Sequence, residues 1–209
     1  HKKDWIIVAT EEGSKQAEDR MKQILKDKGF LPMPCTEEVH EITPEIVEST
    51  LKKFSDVKAI IIVHFGGQAA QLLDNNNNKG LLNICRKHKI PIIEDAAHAF
   101  PTKHNDKFIG TFGDITCFSF YANKQITTGE GGMISTNNQN LYNKCKDLRN
   151  LCFGKNQRFN HDDIGWNYRI TNIQASLGIN QLKRLNSTVK RKMTIGNYYY
   201  QRLSKNKKN

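Results

Sequence analysis

The chain has 209 residues, 37% of them hydrophobic and 25% charged, enough apolar material to bury the core of one domain or one and a half. No apolar run approaches the length of a membrane span and His1-Lys2-Lys3-Asp4 opens no signal peptide, so a cytoplasmic protein with no membrane partner is expected. The formal charge of +11, from 32 Lys and Arg against 21 Asp and Glu, invites a nucleic-acid reading that depends on where the charge sits.

Trp5–Ala9 reads as a buried strand, and 14–28 as a helix with Ala17, Met21, Ile24 and Leu25 on one face, closed by Gly29. An extended segment is expected over 30–34. Thr43 is a good N-cap with Pro44 at the first helical position, opening a helix to Phe54 that turns Ile46, Val47, Thr50 and Leu51 inward. Val57–Val63 is a nearly unbroken β-branched run, the pattern of a strand covered on both faces. A turn is expected at His64-Phe65-Gly66-Gly67, and the asparagine tract 75–78 reads as a surface insertion. A helix over 81–88 leads to a strand over 90–93, and Ile115–Ser119 is the next strand.

The glycine-rich Gly129-Glu130-Gly131-Gly132 precedes a short strand at 133–135, followed by a helix over 139–152 bearing Leu141, Cys145, Leu148 and Cys152. Thr171 caps a helix carrying Ile173, Leu177, Gln181 and Leu185, and a last helix is expected over 189–203 before a polar end. The five cysteines, at 35, 85, 117, 145 and 152, contain no CxxC pair, which points to buried reduced thiols and no metal site. The 183–209 segment carries nine basic residues and no acidic one, leaving +2 for the rest; with no recognised nucleic-acid motif, no nucleic-acid partner is expected.

Strand, helix, strand at this spacing gives right-handed βαβ units and a mostly parallel sheet, whose ligands sit beyond the carboxyl ends of the strands. Those ends carry Glu94-Asp95-Ala96-Ala97-His98 and Phe120-Tyr121-Ala122-Asn123-Lys124. A lone loop lysine is usually a solvated residue. An aspartate and a lysine at the ends of neighbouring strands, however, are what a pyridoxal phosphate enzyme needs: an amine to form a Schiff base, and a carboxylate to pair with the pyridinium nitrogen.

Four ordered stretches carry a resemblance. They are Ile93-Glu94-Asp95-Ala96-Ala97-His98-Ala99; Gly113-Asp114; the segment from Phe118-Ser119-Phe120 through Lys124 to Thr127-Thr128-Gly129-Glu130-Gly131-Gly132; and Gly165-Trp166-Asn167-Tyr168-Arg169-Ile170-Thr171-Asn172. Together, over about 42–203, the chain resembles the DegT/DnrJ/EryC1/StrS sugar aminotransferases. The resemblance implies an α/β fold, the three-layer large domain of fold-type I pyridoxal-phosphate enzymes of the aspartate aminotransferase kind. Residues 1–185 would be a partial cofactor-binding large domain, and 186–209 a helix leading toward a small C-terminal domain.

The resemblance makes Lys124 the Schiff-base lysine and proton shuttle, Asp95 the partner of the pyridine nitrogen, and Ser119 a phosphate ligand. It places His98 near the ring, where a packing histidine is the alternative. Asn167 would reach the phosphate of a neighbouring subunit, implying a homodimer, and Gln68 matches a Gly-Gln turn with a larger residue usual before it. A strand-end hydroxyl such as Ser119 otherwise most often serves the local backbone, whereas a loop-turning role for Asn167 is disfavoured within Gly165-Trp166-Asn167-Tyr168-Arg169; Glu130 is expected to shape its loop.

The segments around Lys124 and 158–167 look most like the perosamine synthase type, which moves an amino group from glutamate to a nucleotide-linked 4-keto-6-deoxy sugar for cell-surface polysaccharide; His161 would face the sugar or lie at the surface. The retained lysine separates the chain from the family's sugar dehydratases. The Gly-Thr turn by which the family grips phosphate at a helix N-terminus does not precede Trp5, so a partial chain is expected. The alternative function is a catalytically incomplete fragment or silent relative acting as a structural or dimerisation partner.

Overall fold

The computed structural model describes residues 5–9, 30–33, 42–75, 79–154 and 159–204, with the backbone alone described for 5–9 and 30–33. The helix expected over 14–28, Cys35 and asparagines 76–78 lie outside the described residues. The chain divides into two compact units, His1–Phe118 with Met133–Arg169, and Ser119–Gly132 with Ile170–Asn209.

The first unit is built on a six-stranded sheet. Its strands are β1 (Trp5–Ala9), β2 (Phe30–Met33), β3 (Val57–Val63), β4 (Ile92–Asp95), β7 (Ile115–Ser119) and β8 (Gly132–Ser135), in the order β2-β1-β3-β4-β7-β8. The end residues Ser119 and Gly132 count with the second unit. The pairs β1–β2, β1–β3, β3–β4 and β4–β7 are all parallel. Helices α1 (Pro44–Lys53) and α2 (Leu81–Lys87) supply crossovers, as the strand-helix spacing implies.

Thr43 is the N-cap of α1: its hydroxyl accepts the Ile46 N–H at 3.4 Å, with Pro44 next in line, and the chain turns extended at Phe54. The core is continuous: Val47 of α1 and Leu81, Ile84 and Cys85 of α2 pack with Ile60, Ile62 and Ile92 of the sheet. The base of the asparagine insertion is closed by Asp74, whose carboxylate accepts the Gly80 N–H at 2.7 Å and the Asn83 side-chain amide at 3.0 Å.

Three features differ from the expectations. The strand expected over 90–93 starts at Ile92 and runs on to Asp95. A small antiparallel pair, β5 (Lys103–His104) and β6 (Lys107–Phe108), turns through Asn105 and Asp106 at φ 46° and 64°. Helix α3 (Gln139–Leu148) stops short of Cys152, because Leu151 and Cys152 take left-handed φ of 64° and 48°.

The second unit contains the loop through Lys124 and helices α4 (Asn172–Lys183) and α5 (Leu185–Leu203). Thr171 and Gln174 form a capping box on α4, and α5 begins four residues before the expected helix. Ile173, Ile179, Met193 and Tyr200 of these helices are exposed.

Candidate active site

The carboxyl ends of β3 and β4 bring three of the expected residues together in the first unit. Val63 pairs with Asp95 across the parallel ladder, and Asp95 with Cys117 on the other side. The half-buried Asp95 carboxylate accepts the Ala97 N–H on Oδ1 at 3.0 Å, while Oδ2 has no hydrogen-bond partner among the described residues. Its charge is felt next door: burial first, then Asp95, pushes the Cys117 thiol up.

Beyond β3, residues Phe65–Gly67 form a tight turn with Gly66 at φ 59° and Gly67 at φ 87°. A Cβ on Gly67 would lie 3.0 Å from the His98 carbonyl oxygen, so glycine lets this turn sit against the loop after β4. The Thr102 hydroxyl donates to the Gly67 carbonyl at 2.7 Å and fastens the same two segments. Gln68 closes the turn, its N–H on the Phe65 carbonyl at 2.9 Å, and its side chain is exposed. His98 is exposed too, its ring centroid 5.8 Å from that of Phe65 and tilted by 58°.

Beneath these residues lies a pair that the motif reading did not assign. His64 and Glu94 are both fully buried, with Nε2 and Oε2 3.1 Å apart. The Ala70 N–H donates to His64 Nδ1 at 3.2 Å, which puts the ring proton on Nε2, donating to Glu94. Glu94 also accepts the N–H groups of Gly110, Phe112 and Gly113 at 3.3, 3.1 and 2.6 Å and the Thr116 hydroxyl at 2.9 Å. Burial pushes this carboxyl up, but the bonds from His64, Gly113 and Thr116 outweigh it and hold it below the ordinary glutamate range. The Gly113-Asp114 motif now has a structural meaning. A Cβ on Gly113 would crowd Glu94 and the Ile92 carbonyl at 3.0 Å, and the Asp114 carboxylate accepts the Ile92 N–H at 2.8 Å.

Asn167 lies in another part of the first unit. The Trp166 N–H donates to the Leu148 carbonyl at 2.7 Å and the Tyr168 N–H to that of Arg149 at 3.0 Å, pinning this segment against the end of α3. Asn167 itself bridges Asn150 through the backbone and leaves its side chain exposed. No described hydrogen bond or ring contact links it to Asp95, His98 or Gln68. His161 is exposed, with Nδ1 donating to the Leu151 carbonyl at 2.6 Å.

In the second unit, the Ser119 hydroxyl accepts the Tyr121 N–H at 3.3 Å, and the Lys124 N–H donates to the Tyr121 carbonyl at 3.0 Å. The Lys124 side chain is half-buried, and its amine has no hydrogen bond or ion pair among the described residues. The loop after it folds back on itself: Phe120 and Gly131 bond backbone to backbone at 2.8 Å, and the Thr128 hydroxyl donates to the Glu130 carbonyl at 2.7 Å. Gln174 of α4 donates to that same carbonyl at 3.0 Å, so Glu130 acts here through its backbone.

The mostly parallel α/β fold is that of the aminotransferases. The pattern of the DegT/DnrJ/EryC1/StrS aminotransferase family matches residues 26–209, and the chain belongs to that family of pyridoxal-phosphate-dependent enzymes. It is 36% identical over 176 residues to the GDP-perosamine synthase of Vibrio cholerae, covering 84% of this chain and 46% of the relative. Against the GDP-perosamine synthase of Escherichia coli O157:H7 the identity is 39% over 142 residues, covering 68% and 37%. Helicobacter pylori PseC, an aminotransferase involved in the biosynthesis of pseudoaminic acid, superposes with a TM-score of 0.72 at 28% identity, covering 88% of this chain and 47% of that one. The chain spans about half, or less, of the length of these relatives.

Proposed function

We propose that this chain is the catalytic portion of a nucleotide-sugar aminotransferase of the perosamine synthase type. The reaction passes the amino group of glutamate to the C4 ketone of a nucleotide-linked 4-keto-6-deoxy sugar, so that the ketone becomes a primary amine and glutamate becomes 2-oxoglutarate. The observation that carries the reading is Asp95, a half-buried carboxylate at a strand's carboxyl end with one oxygen committed to Ala97 and the other open. The residues fit pyridoxal phosphate chemically: an open carboxylate oxygen for the ring nitrogen, an unpaired amine, a strand-end hydroxyl and an exposed imidazole.

When bound, pyridoxal phosphate supplies an aldehyde for amine capture and a ring that withdraws electrons from the neighbouring carbon. Asp95 holds a proton on the pyridine nitrogen. Lys124 would hold the cofactor through its amine and would move the proton at the substrate carbon, a task that needs hydrogen-bond reach. Ser119 would bind its phosphate, and His98 and Gln68 would contact it. Asn167, exposed and held by its backbone, serves the phosphate of a second copy in a homodimer, and the enzyme works in the cytoplasm. In domain terms, 1–185 would be part of the cofactor-binding large domain and 186–209 the helical segment that follows it in sequence.

Borohydride reduction of the chain supplied with pyridoxal phosphate is expected to leave a stable mass addition on the peptide carrying Lys124, and none in Lys124→Ala. A native chain that takes up no label overturns the catalytic reading and favours a structural partner.

A further inference from the structure

We infer that His64 is a positioning residue, which locks the turn bearing Gln68 to the strand end bearing Asp95. The inference rests on the reading of those two residues as cofactor-facing. His64 reaches the parts concerned through its backbone and its ring together. Its backbone N–H donates to the Asp95 carbonyl at 3.0 Å, and its carbonyl accepts the Gly67 N–H at 3.3 Å. Its Nδ1 accepts the Ala70 N–H, so the ring itself closes the segment from 64 to 70 around Gln68.

Nε2 braces the ring from the other side. It donates to Glu94, and Glu94 is in turn held by four further donors from the segment between β6 and β7 and from β7 itself. A fully buried carboxylate with that many donors has one orientation open to it, because any rotation leaves unsatisfied N–H groups in the core. The imidazole tautomer and angle are therefore set from below, by an acid whose neighbour in sequence is Asp95 and whose side chain continues the opposite, buried face of β4. Neither ring nor carboxylate is exposed, so the pair acts on the site only through what it holds.

Amide hydrogen exchange on the full chain separates positioning from general stability. In His64→Leu, close in volume but without ring nitrogens, exchange in segments 64–70 and 95–98 is expected to rise about tenfold or more, with α1 and α3 unchanged. His64→Asn, whose side-chain oxygen sits where Nδ1 does, is expected to bring segment 64–70 back to within about threefold of the native rate. Uniform acceleration in every segment, or none, overturns the inference. If His64→Leu does not fold, His64→Asn decides alone: native-like exchange at Ala70 supports the inference, and faster exchange defeats it. Pyridoxal phosphate titrated by absorbance is expected to bind His64→Leu about tenfold more weakly. A native chain that binds none counts against the catalytic reading, while the exchange result still decides the role of His64.

Discussion

At Gly131, with φ at 148°, an added Cβ would lie 2.5 Å from the Thr128 hydroxyl oxygen, the atom that bonds the Glu130 carbonyl. Gly131→Ala is therefore expected to cost about 1–3 kcal/mol, seen as a lower thermal midpoint, because both the backbone and the loop's own hydrogen bond must give way. The cysteines give a second test at this scale. Burial, with Asp114 adding to it, pushes the Cys85 thiol up to about 12, and burial and Asp95 push Cys117 up as well. Alkylation at neutral pH followed by mass spectrometry should find both far slower in the native chain than in urea. Much of the residue-level picture was legible. The strand-end positions of Asp95 and Ser119 follow from hydrophobic runs alone, and Glu94 had a signal too: it shares a face with Ile92, a core position. What no local pattern could supply was its partner, because His64 lies thirty residues away and the two meet only when β3 and β4 align.

Among the elements, α4 is held at its start by the Thr171–Gln174 capping box, with the Gln174 N–H on the Thr171 hydroxyl at 3.2 Å. Thr171→Ala is expected to cost about 1 kcal/mol, measured by urea denaturation with an unchanged m-value. The Thr171 cap was readable from sequence, as was the Thr43-Pro44 start of α1. The β5–β6 pair was not, since two residues per strand are too few to show alternation. Nor was the end of α3. Non-glycine residues at left-handed φ carry no compositional mark, and Leu151 and Cys152 adopt it where the Trp166 segment packs against the helix end. Gly165 permits that approach, because a Cβ there would come within 2.6 Å of the Cys152 nitrogen.

For the molecule as a whole, the buried Glu94 ties stability to acidity. Its folded carboxyl titrates below the unfolded one, so its contribution is complete above the unfolded value, near pH 4.3, and is lost as pH falls toward the folded value. The urea midpoint is expected to drop between pH 6 and pH 3.5 by more in the native chain than in Glu94→Gln, which cannot titrate; equal drops would remove Glu94 from the account. The charge of +11 has no such central meaning. It is concentrated in 183–209 and is compatible with a solvated helix, which is how most of the basic residues of α5 are found. A mostly parallel sheet and the family were within reach of sequence because β-branched runs and ordered motifs extend over most of the chain. The mutual placement of polar groups in the core needed coordinates.

The stacked pair Trp166 and Tyr168, with ring centroids 6.0 Å apart and planes within 14°, gives the protein a built-in optical probe. Trp166 is one of only two tryptophans and is half-exposed beside Asn167. An absorbing ligand or a second polypeptide arriving at that asparagine would dim or shift indole emission by energy transfer or by displacing water. Fluorescence thus offers a label-free view of the one proposed site residue whose task lies in another copy of the chain.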